Sequence, residues 1–465
     1  MFGFFSGPKA PDPVPTDQVV PDRGELEHHI PASFSPERPA VGFDHVDLSS
    51  MSVADHQAAA HIPHPPRDGR PAVVGDPDKL NEFIHGPNVP TKADDYLYSD
   101  RPELGLRIVS FNDKTVVVLH WIHLAFDATA KRSLLDAWSL MLQGREDEIP
   151  EPLSPHDYIL EDCGKAPTER HVLADHHVSK PGLVWWALQN AYNVRPQDQP
   201  PPPCWPLSLT GSIKLAFRAK EHRMVCIPAD YLAKLRGKAI AELAAEAPPG
   251  SEQPFLSEGD IIVAWTSRLA IANLDDPDRT GVGPTNRSLF ASVQIAVQQA
   301  YQWRPALKDL NPSDAPFLSN CVGFLVTLIP GRDALQKPLS YLASQVRRAI
   351  VEQGSREQIE AYASLVRLDP SNHAPPFFGN SSMQLLMFSN WTKANMFATD
   401  LSAAAVTPRS TPLTPSYVQT VQGPYVFSDG FITVGKDTGG NYWLSAYRTK
   451  GLWGMMEEKM REEII

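Results

Sequence analysis

The stretch Thr115–Asp127, TVVVLHWIHLAFD, runs a nearly continuous β-branched and apolar segment into two histidines and an aspartate. Residues Thr115 to Ile122 read as a central strand buried on both faces, because β-branched side chains favour a pleated surface and the run is barely interrupted by polar positions. Just upstream, Leu104–Phe111 (LGLRIVSF) alternates as a half-buried strand, and Asn112-Asp113-Lys114 supplies the turn of a hairpin. Downstream, Ala128 to Gln143 sets Leu134, Leu135, Trp138, Met141 and Leu142 on one helical face, with Gly144 where a C-terminal cap belongs. The unit is a strand, a short turn and a helix.

A histidine followed by an aspartate four positions later is a weak pattern. Fifteen histidines in a chain of this composition give about one such match by chance. There are three: His64–Asp68 in a proline-rich loop, His171–Asp175 in a helical stretch, and His123–Asp127 at the end of the buried strand. A catalytic base has to be held rigidly and still reach substrate, and a strand end entering a turn meets both demands. Among the three, His123 has that placement, with Asp127 past the turn as a loop-fixing partner. The residues alone leave a second reading open, in which His123 is a satisfied buried histidine. His120, inside the strand, reads as structural.

A chain of 465 residues exceeds one hydrophobic core, so two or three domains are expected. With 42% hydrophobic and 21% charged residues, the composition is that of a folded globular protein. The 42 basic against 54 acidic residues leave a net charge of −12, which argues against nucleic acid or an anionic membrane as partner. Four scattered cysteines (Cys163, Cys204, Cys226, Cys321) suggest neither a zinc site nor a disulfide framework. The N-terminal text lacks a signal-peptide pattern, and no segment reaches about 18 uninterrupted apolar residues. The expectation is a cytoplasmic protein without a metal or redox cofactor.

Residues 1–40 form an atypical Pro-rich N-terminus, and His61 to Asp78 is a second loop-like stretch. Residues 193–208 hold six prolines and read as a linker, dividing an N-terminal domain over 41–192 from a C-terminal domain over 209–465. In the second half, Ser257 with Asp260 three positions later signals the start of a long helix. Pro338–Gln353 is a further helix, Met383–Phe388 a short strand, and Tyr425–Val434 with Tyr442–Tyr447 a hairpin around Asp437-Thr-Gly-Gly440.

The segment HLAFDATAKRSLLDAWSLMLQG resembles the HxxxD region of the BAHD acyltransferases, in particular their fungal secondary-metabolite branch. LSEGDIIVAWTSRLA resembles a helix of that family, Phe317–Gly323 its short Gly-Asn segment, Ser389–Asp400 the stretch leading to its DFGWG motif, and DTGGNYWLSAY its C-terminal hairpin. The ordered matches span residues 100 to 465. The resemblance implies an α/β protein of two chloramphenicol-acetyltransferase-like domains with mixed sheets and the active site in a channel between them. It implies a monomer using acyl-CoA as co-substrate, with no bound cofactor, and a small-molecule acceptor bearing a hydroxyl or amine. Carried onto this chain, His123 is the general base, Ser389 the hydroxyl that stabilises the oxyanion, Trp391 a pocket wall, and Asp127 and Asp400 structural residues. By themselves Ser389 and Trp391 read equally as a strand-end serine and a core tryptophan.

Three positions depart from the family pattern. Ala128 stands where glycine commonly follows the motif aspartate, the DFGWG stretch survives as Asp400-Leu-Ser-Ala-Ala404, and residues 1–25 are too short and proline-rich for the family's early strand and helix. The last departure reads as truncation, or as a first domain lacking an edge element. Two alternatives stand beside acyl transfer: a condensation-domain-like enzyme, whose usual second histidine is replaced by Ile122, and a degenerate metabolite-binding or regulatory homologue.

Overall fold

The computed structural model describes residues 31–86, 89–92, 94–154, 159–183, 186, 220–272, 293–311, 313–368, 375–381, 383–407, 410–420 and 429–463. The first half contributes β1 (Val41–Leu48), β2 (Ala72–Gly75), β3 (Leu104–Phe111) and β4 (Thr115–Trp121). The β3–β4 hairpin forms where the sequence places it. Leu104 lies opposite Trp121 and Ser110 opposite Thr115, and the Phe111 N–H donates to the Lys114 carbonyl at 2.8 Å to close the turn.

β1 adds in parallel to the other side of β3, giving the order β1-β3-β4. β4 is therefore the edge of this sheet among the described residues, not the central, doubly buried strand its apolar run suggests. One face is covered: Val116 packs with Val109, Phe111 and Phe83. The other stays half open, with Val117 38% and Phe43 67% exposed. A strand with one neighbour has no second layer to bury its other face, so an apolar run does not by itself report two-sided burial.

The second sheet has seven strands in the order β2-β5-β10-β9-β8-β6-β7. The added strands are β5 (Lys220–Ile227), β6 (Gln294–Gln302), β7 (Val322–Pro330), β8 (Gln384–Asn390), β9 (Asp429–Lys436) and β10 (Tyr442–Thr449). Its edge strand β2 comes from the connection between β1 and β3, so the first half of the chain supplies a strand to the sheet of the second. The proposed linker over 193–208 and the start of the final hairpin at 425–428 lie outside the described residues.

Among the described residues, the helices of about three or more turns are α1 (Ala130–Leu142), α2 (Ala229–Glu246), α3 (Glu258–Ile271), α4 (Leu339–Gln353), α5 (Arg356–Arg367) and α6 (Trp453–Glu462). α3 starts at the anticipated capping box: Ser257 Oγ accepts from the Asp260 N–H at 3.2 Å, and the Asp260 carboxylate accepts from the Ser257 N–H at 2.6 Å. Residues 260–267 of α3 are then buried all round, as expected for a helix apolar on every face, with Ile261, Ile262 and Trp265 in the core under the second sheet. α1 ends at Gly144, whose φ of +69° is the left-handed conformation glycine adopts without strain. The expected apolar face of α1 is incomplete, because Met141 at the C-terminal end is 55% exposed.

Candidate active site

Two strand ends meet at the site. β4 leaves the first sheet at Trp121 and turns through Ile122–Ala125, where the Ala125 N–H donates to the Ile122 carbonyl at 3.0 Å. β8 leaves the second sheet at Ser389–Asn390 and turns into Trp391. His123 sits in the first turn, Ser389 at the end of the second strand.

Asp127 shows how the first turn is fixed. Its side chain is almost fully buried, with the residue 5% exposed. Oδ1 accepts from the N–H groups of Thr129 at 2.9 Å and Ala130 at 3.0 Å, satisfying orphan donors at the start of α1. Oδ2 accepts from the Cys321 N–H at 2.9 Å and from Arg304 Nη1 at 2.9 Å. Arg304 in turn donates to the carbonyls of Phe317 at 3.1 Å and Ser319 at 2.7 Å. One carboxylate thus ties the helix start in the first half to a backbone segment of the second. Ala128 follows without a positive φ, so replacing glycine there strains nothing.

The same segment holds the histidine. Asn320 Nδ2 donates to the carbonyls of His123 and Leu124, each at 2.9 Å. The interaction of the His123 ring with its own backbone favours the protonated form, though less than burial opposes it. Burial pushes His123 down to about 4, aided by the nearby Lys131 cation and opposed by Asp127. Near neutral pH the imidazole is therefore neutral and able to take a proton.

On the opposing strand, Trp391 Nε1 donates to Ser389 Oγ at 2.9 Å. An indole N–H can only donate, so Ser389 is the acceptor in that bond and its own O–H proton is left for another oxygen. Trp391 is 4% exposed and packs in a cluster with Phe397, Ile432 and Trp443. Its indole also lies 3.6 Å from Lys131 Nζ, which is 4.2 Å from the Trp121 ring. Arg132 Nη1 adds a donor to the carbonyl of Asn395, a residue in the left-handed region at φ 46°, at 3.1 Å. Burial raises the Cys321 thiol to about 11, so it stays protonated and offers no thiolate nucleophile.

The structure thus brings His123, Asp127, Ser389 and Trp391 to one junction of the two sheets. Asp400 stands apart in role: its carboxylate accepts from the Ser402 N–H at 2.9 Å and from the Ser402 hydroxyl, shaping a local turn, and among the described residues it meets no basic side chain. The other two HxxxD matches lie elsewhere. His64 and Asp68 are exposed. His171 is buried against Phe378 with ring centroids 4.7 Å apart, while exposed Asp175 pairs with Arg170 at 2.7 Å; a 3-10 turn over Ala174–His176 replaces the expected helix. His120 lies within β4 beside Gly105 and, like His123, is made less basic by burial.

A second histidine cluster has the look of chemistry. His222 lies 2.6 Å from Ser445 Oγ and 3.9 Å from Asp78. Ser445 is wholly buried and also donates to the Thr420 carbonyl at 3.0 Å, so no substrate reaches it. A cavity of about 200 Å³ is lined by Arg304 together with Thr129, Ser133, Phe317 and Cys321, but His123, Asp127 and Ser389 do not line it. Among the described residues, no group of three or more His, Cys, Asp or Glu side chains is placed to hold a metal, and no helix is long and apolar enough to cross a membrane.

Arg304, Asn320 and Lys131 escaped the sequence reading. Asn320 lies inside the quoted segment 317–323, but Arg304 carries no local signal. Lys131 did carry one: with Leu134, Leu135 and Trp138 it falls at the i, i+3, i+4 and i+7 positions of the apolar stripe of α1.

No family model matches the chain. It is 33% identical over 456 residues, 95% of its length and 84% of the relative's, to the transcriptional regulator calD of Penicillium decumbens. It is 32% identical over 463 residues, 94% of its length and 83% of the relative's, to the acetyltransferase sphE of Aspergillus fumigatus. Among solved structures, F. graminearum TRI101 in complex with coenzyme A and deoxynivalenol aligns over 91% of this chain and 80% of that one, at TM-score 0.54 and 13% identity, a likeness of fold.

Proposed function

We propose, on the premise that this chain belongs to the fungal secondary-metabolite branch of the BAHD, or HxxxD, acyltransferases, that His123 and Ser389 carry its transfer of an acyl group from acyl-CoA to a small metabolite. The observation that supports this reading is a neutral, desolvated imidazole in the turn after β4, linked through the Trp121–Lys131–Trp391 contacts to the end of β8, where Ser389 accepts from the Trp391 indole and keeps its own proton to donate.

In the proposed reaction, the His123 imidazole takes the proton from an acceptor hydroxyl, or amine, as that atom attacks the thioester carbonyl. The C–O bond forms, the carbonyl electron pair moves to oxygen, and the Ser389 O–H donates to the resulting oxyanion. When the intermediate collapses, the C–S bond breaks and the CoA thiolate takes the proton back from the imidazolium. Substrates in this reading enter a channel between the two sheets. TRI101, whose structure holds coenzyme A and deoxynivalenol, supports a small-molecule acceptor beside acyl-CoA here.

The experiment is to incubate the protein with acetyl-CoA, longer acyl-CoAs and a panel of hydroxylated fungal metabolites, and to follow free CoA. His123→Ala is expected to lower kcat by about 10³ and Ser389→Ala by about 10². Transfer undiminished in His123→Ala overturns the general-base role.

A second reading is favoured by one observation, the 33% identity to a protein named as a transcriptional regulator. If the intact protein transfers nothing but binds one of the metabolites saturably, a ligand-binding regulator is the better reading.

A further inference from the structure

We propose that Lys131 is a positioning residue of this site: clamped between Trp121 and Trp391, it fixes the indole that holds the Ser389 hydroxyl and so locks the second sheet's donor to the first sheet's histidine loop. This inference rests on the roles given to His123 and Ser389 above.

A lysine in the first turn of an amphipathic helix ordinarily lays its stem along the apolar surface and carries its ammonium to water. Lys131 does not. The residue is 3% exposed, and among the described residues it makes no ion pair or hydrogen bond. Its compensation is two aromatic faces, the Trp121 ring at 4.2 Å and the Trp391 ring at 3.6 Å. A methionine of similar shape would fill the same space without desolvating a charge; here burial lowers Lys131 to about 7, and the Asp127 carboxylate and the two indole faces oppose that by favouring the cation.

The three residues come from separate elements. Trp121 ends β4, Lys131 opens α1, and Trp391 follows β8. Trp121 is braced in turn by Phe126, stacked at 5.7 Å within the histidine loop. The chain Phe126–Trp121–Lys131–Trp391–Ser389 therefore runs continuously from the loop bearing the base to the proposed oxyanion donor.

The same cation bears on the base. Among the described residues, the charged groups facing His123 are Lys131 from α1 and Asp127 from its own loop, the latter engaged by Arg304 of the second half. Asn320, the contact from the remaining segment, is neutral. Removing the Lys131 charge takes away a repulsion and leaves the Asp127 attraction, so His123 becomes easier to protonate although burial still holds it low.

The test compares Lys131→Met with Lys131→Arg, with His123→Ala and Ser389→Ala in parallel. Acetyl-CoA is the donor, and the acceptor is the one found in the panel, or water if none is. Lys131→Met is expected to lower kcat by about tenfold or more, leave KM for acetyl-CoA within about twofold, and move the acidic limb of the kcat/KM profile to higher pH. Lys131→Arg, which keeps a cation able to stack on indoles, is expected to restore most of kcat. Tryptophan emission should change in Lys131→Met and stay close to wild type in Lys131→Arg. A Lys131→Met enzyme with wild-type kcat and an unmoved acidic limb overturns the proposal, as does Lys131→Arg no more active than Lys131→Met. If Lys131→Met does not fold, wild-type tryptophan emission followed against pH carries the test. Burial lowers Lys131 to about 7, so emission and kcat should change together as the cation is lost above that pH; emission that changes there while kcat stays flat sinks the clamp. If His123→Ala and Ser389→Ala also leave transfer intact, the failure belongs to the reading of the site and not to Lys131 alone.

Discussion

Replacing Asp127 by Asn probes whether this residue builds the site or acts in the chemistry. The Asn carbonyl can keep the Thr129 and Ala130 N–H donors that Oδ1 now accepts. Its amide then faces two donors where Oδ2 stood, the Cys321 N–H and Arg304 Nη1, both at 2.9 Å. An orphaned buried N–H costs about 1–3 kcal/mol, and breaking a buried ion pair about 3–5 kcal/mol. The Arg304 side chain is 19% exposed and keeps its bonds to Phe317 and Ser319, which places the net loss at the lower end, about 3 kcal/mol. With a urea slope of about 3 kcal/mol per M for a chain of this size, the midpoint should fall by about 1 M. Urea titration followed by tryptophan emission measures this, beside a pH–rate profile of the folded fraction. Adding Arg304→Met should recover part of the loss, since the stranded cation is then gone. A midpoint unchanged within about 0.2 M, together with a lost limb in the pH profile, would refute a structural role and make Asp127 part of the proton transfer.

Other expectations follow from the same geometry. Asn320→Ala removes the donor to the His123 and Leu124 carbonyls, and should lower kcat by about tenfold while costing about 1 kcal/mol of stability; equal kcat in steady-state assays would count against it. His123 and His171 are both driven to about 4 by burial. Each binds a proton more readily when unfolded, so their contribution to stability is complete above about pH 6.5 and is lost as pH falls through about 4. Urea midpoints measured between pH 7 and 4 should decline over that window, and a flat profile would show that neither histidine is desolvated. The acidic limb of kcat/KM should likewise lie well below 6.5. Ser257→Ala opens the capping box of α3 and should cost about 1 kcal/mol by the same denaturation assay, with kcat unaffected.

What could be read from the sequence was what neighbouring residues decide among themselves. The β3–β4 hairpin, the α1 stop at Gly144 and the Ser257–Asp260 cap depend on contacts a few positions apart, and each appears where expected. Strand context separates the HxxxD match at His123 from the other two, and the carbonyl of His123 accepts from Asn320 of the second half while Asp127 pairs with Arg304. The burial of β4 was misjudged because an apolar run records side-chain type and not how many layers cover it. Arg304 lies 177 positions from Asp127 and Asn320 lies 197 from His123, distances at which no periodicity or motif couples two residues. Lys131 is different: its place on the apolar stripe of α1 is visible in the sequence, and a lysine in such a stripe signals a buried ammonium.

The strand β2 gives the molecule an order of assembly as well as a shape. It is made early, yet its partner β5 begins at Lys220, about 145 residues after β2 ends at Gly75. At roughly 5–20 residues per second on the ribosome, β2 waits about 7–30 s for β5 to appear. During that interval the first half carries an unpaired strand and an uncovered histidine loop whose anchors, Arg304 and Asn320, have not yet been made. Nascent chains stalled between residues 130 and 220 should therefore be sensitive to protease within 72–75 and 122–130. The His123 loop is written in the first third of the chain, yet its anchors arrive only with residues 304 and 320.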